Sequence, residues 1–245
     1  LLIVGIFPVF SLFVLWIFYL SLFNVGQQFL GFQWDTLLLE TGFLAIFLAP
    51  LKCWPRQAES PISPWMLLLL RFLLFRVMFT SGFVKLSSGD ATWKDLSALL
   101  YHYETQPLPT WVGWYVHQLP QWFQEYSVLV VFIIQLVVPF LIFGPGRIRY
   151  LAGTILISFQ FLIIVTGNYC FFNLLTLALC ILLFDDAVFQ KLIPGKWRFS
   201  FEETRRGIPD WKKFFFGGLG LGLFSTSIFL YLIPLIVNRV NYPST

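Results

Sequence analysis

Charged side chains make up only 11% of this sequence, against about a quarter in soluble domains. A water-soluble fold of 245 residues could not cover its surface with so few, so a soluble globular protein is excluded. Histidine is scarcer still, with two copies, His102 and His117, and cysteine has three, Cys53, Cys170 and Cys180. No CxxC or other metal-ligand spacing occurs among them. Cys170 and Cys180 fall ten residues apart on one expected helix, about 15 Å along its axis, too far to bridge. The cysteines therefore read as small apolar fillers. HExxH, GxxxxGK and a serine nucleophile elbow are all missing, as are tandem repeats and low-complexity tracts. The GGLGLG run from Gly217 to Gly222 lies in an apolar segment with no strand before it, so it reads as a helix-packing or flexible stretch and not a phosphate loop.

What the sequence has is hydrophobic length. Hydrophobic residues are 58% of the chain and the mean hydropathy is +0.78, the composition of an integral membrane protein built from helices. The expected fold class is all-α, a polytopic bundle of six or seven transmembrane helices forming a single domain. The expected spans are 1–23, 37–51, 65–86, 126–143, 150–166, 169–184 and 214–237, the second being the shortest and carrying Glu40. Between the third and fourth lies a long aromatic-rich loop, 87–125. Within it 96–103 could form a short interfacial helix that the prolines of QPLP would end. Because the sequence opens on Leu1 with no initiator Met, it is expected to begin inside a longer product.

The net charge of +4 does not point to nucleic acid, because the basic residues gather in short loops beside apolar segments. Lys52 and Arg56 follow the second span, and Arg147 and Arg149 the fourth. Lys191, Lys196, Arg198, Arg205, Arg206, Lys212 and Lys213 fill 185–213; the alternate loops hold only Lys94. With seven crossings, the loops between spans place eleven basic residues on one side and one on the other, and the positive-inside rule assigns the eleven to the cytoplasm. The stretches around Gln33–Asp35, His102–Pro109 and Gly167–Tyr169 then share the exoplasmic side.

Charges inside spans are costly and are usually paired or cavity-lining. Arg71 and Arg76 fall within the third span, Lys85 at its exoplasmic end and Glu40 in the second. Glu40 is expected to reach Lys85 or Arg76, a pairing that serves either architecture or function, and Arg71 either joins the interior or snorkels to the cytoplasmic surface. In the loop, His102 and Glu104 are the one histidine–carboxylate neighbour pair, but a spacing of two does not bring them together on a helix. The loop therefore reads as structural or partner-contacting, with no catalytic residue, cofactor or metal implied.

Several blocks resemble the lipase maturation factor family: GQQFLGFQWDTLLLETGFLAIFLAP (26–50), RFLLFRVMFTSGFVKL (71–86), HYETQPLP (102–109), LVVPF (136–140), and GNYCFFNLLTLALC with the following FDDA (167–187). The resemblance implies a multi-pass membrane protein that helps secreted dimeric lipases to fold and assemble, contacting a lipase client, with no known catalytic residue. It marks Gln33, Trp34, Asp35, Glu40, His102, Tyr103, Glu104, Thr105, Gln106, Pro107 and Asn168 as motif positions and candidates to face a client. It also implies a soluble exoplasmic domain after the last span, whereas this sequence stops at Thr245, and animal relatives tend to carry a glycosylation acceptor where this chain has Asn168-Tyr169-Cys170. The expected location is the endoplasmic reticulum membrane in a eukaryote or the inner membrane in a bacterium. Two alternatives stand beside the folding factor. One is an accessory subunit of a larger membrane complex. The other is a membrane enzyme in the style of the vitamin K-dependent carboxylases, with Lys85, His102 and Glu104 lining an exoplasmic cavity.

Overall fold

The computed structural model describes residues 1–50, 62–106 and 108–192, with positions 215, 217–220, 222 and 225 of the last apolar segment. Cys53, Lys52, Arg56, Pro107, the basic stretch beyond Leu192 and most of the expected span 214–237 lie outside the described residues. Among the described residues the fold is helical, with no strand. Its elements are α1 (Pro8–Gly26), α2 (Gln33–Leu48), α3 (Pro64–Ser87), α4 (Ala91–Lys94), α5 (Ala98–Thr105), α6 (Trp111–His117), α7 (Gln121–Leu136), α8 (Gly146–Thr166), α9 (Phe171–Ile181) and α10 (Asp186–Leu192). A tighter 3-10 turn, Val138–Phe143, extends α7.

Among the described residues, four helical stretches are long and apolar enough to cross a membrane: Pro8–Phe29, Pro64–Ser87, Gln121–Phe143 and Gly146–Thr166. At 16 and 11 residues, α2 and α9 cover roughly 24 and 16 Å, less than the hydrocarbon thickness of about 30 Å. The helix ends differ from those that hydropathy alone suggests, and backbone chemistry explains the shifts. Pro8 and Pro64 occupy the first turns of α1 and α3, where a missing N–H costs nothing. The first span therefore begins at Pro8, not Leu1. At the end of α2, Ala49 is extended (φ −67°, ψ 143°) because it precedes Pro50, so the helix ends at Leu48. It starts instead at Gln33, with Asp35 in its first turn, where an acid suits the helix dipole. The fourth span opens five residues early, at Gln121 behind Pro120. The expected loop 87–125 is largely helical, holding α4, α5, α6 and the first turn of α7.

The core is organised by α3. Its buried residues Met66, Leu69, Leu70, Leu73, Leu74, Val77 and Met78 recur at three- and four-residue intervals, one continuous stripe of a 3.6-residue helix. Around that stripe pack Leu37 and Leu44 from α2, Ile142 after α7, Ala152 and Leu156 from α8, and Leu179 and Cys180 from α9. Cys180 is thus an apolar filler of the core, while Cys170 is exposed. In a bilayer the lipid tails are as apolar as these side chains, so helix association depends on close approach and polar links more than on burial. Gly82 supplies such an approach: a Cβ there would lie 2.8 Å from the Gln135 Cβ on α7.

The polar links fix direction. Trp16 Nε1 donates to the Leu39 carbonyl (2.9 Å) and the Tyr19 hydroxyl to Asp35 Oδ1 (2.5 Å). Gln33 Nε2 donates to Ser81 Oγ (3.0 Å), and the Arg76 guanidinium bonds the Glu40 carboxylate. As the number rises on one helix it falls on its neighbour, so α1/α2 and α2/α3 are antiparallel. The α8 helix and the segment after it pair the same way. Arg149 Nε donates to the Leu183 carbonyl (2.8 Å), and its NH2 group bonds both oxygens of Asp185 at 2.7 Å. That clamp brings the chain end beyond α9 back to the start of α8.

Candidate functional site

Antiparallel packing gathers the motif blocks at one end of the bundle. The start of α2 lies beside the end of α3, and α5 and α6 sit against the turn between α8 and α9. Arg147 and Arg149 mark the opposite end of α8.

In the first block, Gln33-Trp34-Asp35, Asp35 is buried, Trp34 half-buried and Gln33 exposed, and each makes a contact that joins or stiffens the helices. Asp35 is 2% exposed and accepts from Tyr19 on α1, Gln33 reaches Ser81 on α3, and the Trp34 ring stacks on Phe32 at 4.6 Å. Glu40 binds Arg76, near the midpoint of α3, and not Lys85. Lys85 instead folds back along its own helix: Nζ donates to the Ser81 carbonyl (3.1 Å) and stands 5.3 Å from the centre of the Trp93 ring. Arg71 turns into the protein, its NH2 group donating to the Leu182 carbonyl at 3.3 Å. Between α2 and α3 runs a groove of about 420 Å³, lined by Gln33, Thr36, Glu40, Arg76, Ser81 and Lys85 among others.

The second block docks on the Thr166–Tyr169 turn. α5 ends at Thr105 because Gln106 is extended (φ −63°, ψ 132°) ahead of Pro107. His102 Nε2 lies 3.2 Å from the Tyr169 hydroxyl, and Gln106 Nε2 donates to the Thr166 carbonyl (3.3 Å). Asn168 shapes the turn itself, its Oδ1 accepting from the Cys170 amide (3.2 Å). The expected neighbours His102 and Glu104 do not bond each other. Two residues apart on α5 they face away from one another, and Glu104 pairs with His117 (3.0 Å). Tyr103 bridges the two groups, its ring near those of both His102 and His117. Thr105 bonds back to the Tyr101 carbonyl (3.0 Å).

Sequence reasoning missed four members of this cluster. Thr110 caps α6, its Oγ1 accepting from the Gly113 amide (3.0 Å) while donating to the Val165 carbonyl (2.8 Å). Gly113, His117 and Thr166 complete the contact. The one readable signal was Thr110 itself, a residue type favoured at a helix N-cap, just ahead of Trp111–His117.

Burial, and next the charge of Lys85, hold the His102 imidazole below its ordinary value; Tyr103, Tyr169 and Lys85 are the titratable groups facing it. The unfolded chain therefore takes up a proton that the folded one resists. His102 contributes stability above the free-histidine value of about 6.5, and that contribution is lost as pH falls through it. Thermal melts from pH 7.5 to 5.5 are expected to slope downward on the acid side, and H102Q should flatten that slope. Equal slopes in the two proteins would contradict the arrangement.

The cluster carries no arrangement of nucleophile, base and orienting acid. Among the described residues no three His, Cys, Asp or Glu side chains come close enough to hold a metal. Lys85 lines the α2–α3 groove, and His102 and Glu104 are not among the residues that line it.

Comparison with known proteins places this geometry. The family described as "Lipase maturation factor transmembrane domain" matches residues 1–191. Lipase maturation factor 2 of Xenopus laevis is 53% identical over 184 residues, covering 73% of this chain and 26% of that protein. The human lipase maturation factor 2 is 49% identical over 186 residues, 71% of this chain and 26% of that protein. Lipase maturation factor 1 of Mus musculus is 42% identical over 182 residues, 74% and 32%. The matched part thus spans about a quarter to a third of these relatives. No solved structure matches the chain. A membrane protein of several transmembrane helices, with its family motifs folded into the joints of the bundle, this chain belongs to the lipase maturation factor family.

Proposed function

We propose that this chain is the membrane-embedded part of a lipase folding and assembly factor, not an enzyme, and that it meets its lipase client from the exoplasmic face. The basic residues favour that orientation, and in a eukaryote the membrane is that of the endoplasmic reticulum. The observation that carries the reading is the convergence of the α5–α6 block and the α8–α9 turn at the end of α8 away from Arg147 and Arg149. Their inner faces are occupied by one another, whereas Trp111 (88% exposed), Trp114 (61%) and Trp122 (67%) point outward. Large aromatics in such a place serve as anchors for a partner or for the headgroup region.

The test exchanges exposed side chains only, in the full-length protein and in cells lacking other family members. W111A/W114A is expected to leave protein amount and membrane insertion unchanged and to lower secreted lipase activity per unit of lipase antigen at least fivefold. Unchanged specific activity would count against this face as the client surface.

A further inference from the structure

We propose that the groove between α2 and α3 binds an anionic amphiphile whose phosphate or carboxylate group is received by Lys85. This goes beyond the folding role and does not depend on it.

The groove holds three charged side chains. Glu40 and Arg76 answer each other, a pairing that cancels their charge. Lys85 is left over: among the described residues it has no acidic partner, only the Ser81 carbonyl and the face of Trp93. An ammonium has three N–H donors, so two are uncommitted. A lysine this close to a helix end ordinarily extends its amine to the water interface. This one bends back toward the groove, which costs solvation that a bound anion would return.

The shape suits a lipid. Gln33, Thr36 and Ser81 offer polar contacts near Lys85, while Phe32, Leu37, Val77 and Val84 supply apolar wall. Gly31, Phe32, Gln33, Thr36 and Val84 are exposed, so the groove reaches the surface of helices that themselves lie in lipid. A volume of about 420 Å³ falls within the range of small-molecule sites, roughly 300–1,000 Å³. A headgroup with the first carbons of its chain would occupy it.

The test is native mass spectrometry of the delipidated full-length protein in nonionic detergent, titrated with phosphatidylserine, oleate, phosphatidylcholine and inorganic phosphate. Phosphatidylserine and oleate are expected to bind at least tenfold more tightly than phosphatidylcholine. K85Q should lose that preference about tenfold, and K85R should keep it. V84W, which fills the groove without altering charge, should block binding even if K85Q fails to fold. Equal binding of phosphatidylcholine, or full binding by K85Q or V84W, would overturn the site. Inorganic phosphate binding as tightly as the lipids would overturn the amphiphile assignment.

Discussion

E40Q is expected to destabilise the bundle by about 3 kcal/mol, the scale on which breaking a buried ion pair leaves one charge uncompensated. Arg76 sits near the middle of a 24-residue helix, and its side chain is only 12% exposed, so no outward route to water replaces the lost carboxylate. A guanidinium also stays charged, whereas a carboxyl deprived of its base can be neutralised by a proton. E40Q should therefore harm more than R76Q. The neutral double variant E40Q/R76Q should recover much of the loss, because two amides can bond each other without a buried charge. Unfolding in detergent, followed for the two single variants and the double, gives the coupling between the sites. Energies that add within about 0.5 kcal/mol, as those of distant sites do, would mean that the pair does not hold α2 to α3.

That pair shows what was legible in the sequence and what was not. A glutamate and two cations inside apolar segments announced an interior contact, because charge in lipid demands a partner. Which cation Glu40 would meet depended on the register of α2 against α3, and register is set by contacts far apart in sequence, such as Gln33 with Ser81. The core stripe of α3 was open to reading, since its apolar spacing repeats at the helix period. The helix ends were less so. Hydropathy records where apolar residues lie, while Pro8, Pro50, Pro64 and Pro120 decide where a helix starts or stops. Farther along the chain, both GNY and HYETQ were recognisable as blocks. Their contact was not, because the Tyr169 hydroxyl that meets His102 lies 67 positions away in sequence and Gln106 binds a backbone carbonyl, that of Thr166, which no side-chain pattern reveals. His117 escaped for a related reason: a lone histidine among aromatics gives no sign of the glutamate 13 positions earlier that it binds.

G113V is expected to abolish lipase maturation while the protein still enters the membrane in normal amount. A Cβ at position 113 would stand 2.6 Å from the Thr166 carbonyl oxygen and 3.1 Å from Thr110 Oγ1. Neither neighbour yields easily. One is backbone at the end of α8, and the other is held by the Val165 carbonyl. Relief requires α6 to lift, which breaks the Thr110 cap and pulls on the Gln106–Thr166 bond, so the exposed tryptophans lose their fixed position over the turn. Overpacking of this kind costs about 1–3 kcal/mol, enough to undock a short helix but not to unfold the spans, which rest on the separate core around α3. Two other glycines isolate the effect. At Gly42 a Cβ would make ordinary contact with Trp16 at 3.5 Å, so G42A should be silent. At Gly82 it would press on α7 within the bundle, so G82V should reduce the amount of inserted protein itself. Normal maturation by G113V would separate the client surface from the docked position of α6. Loss of maturation with normal insertion, set beside a silent G42A, would tie the two together.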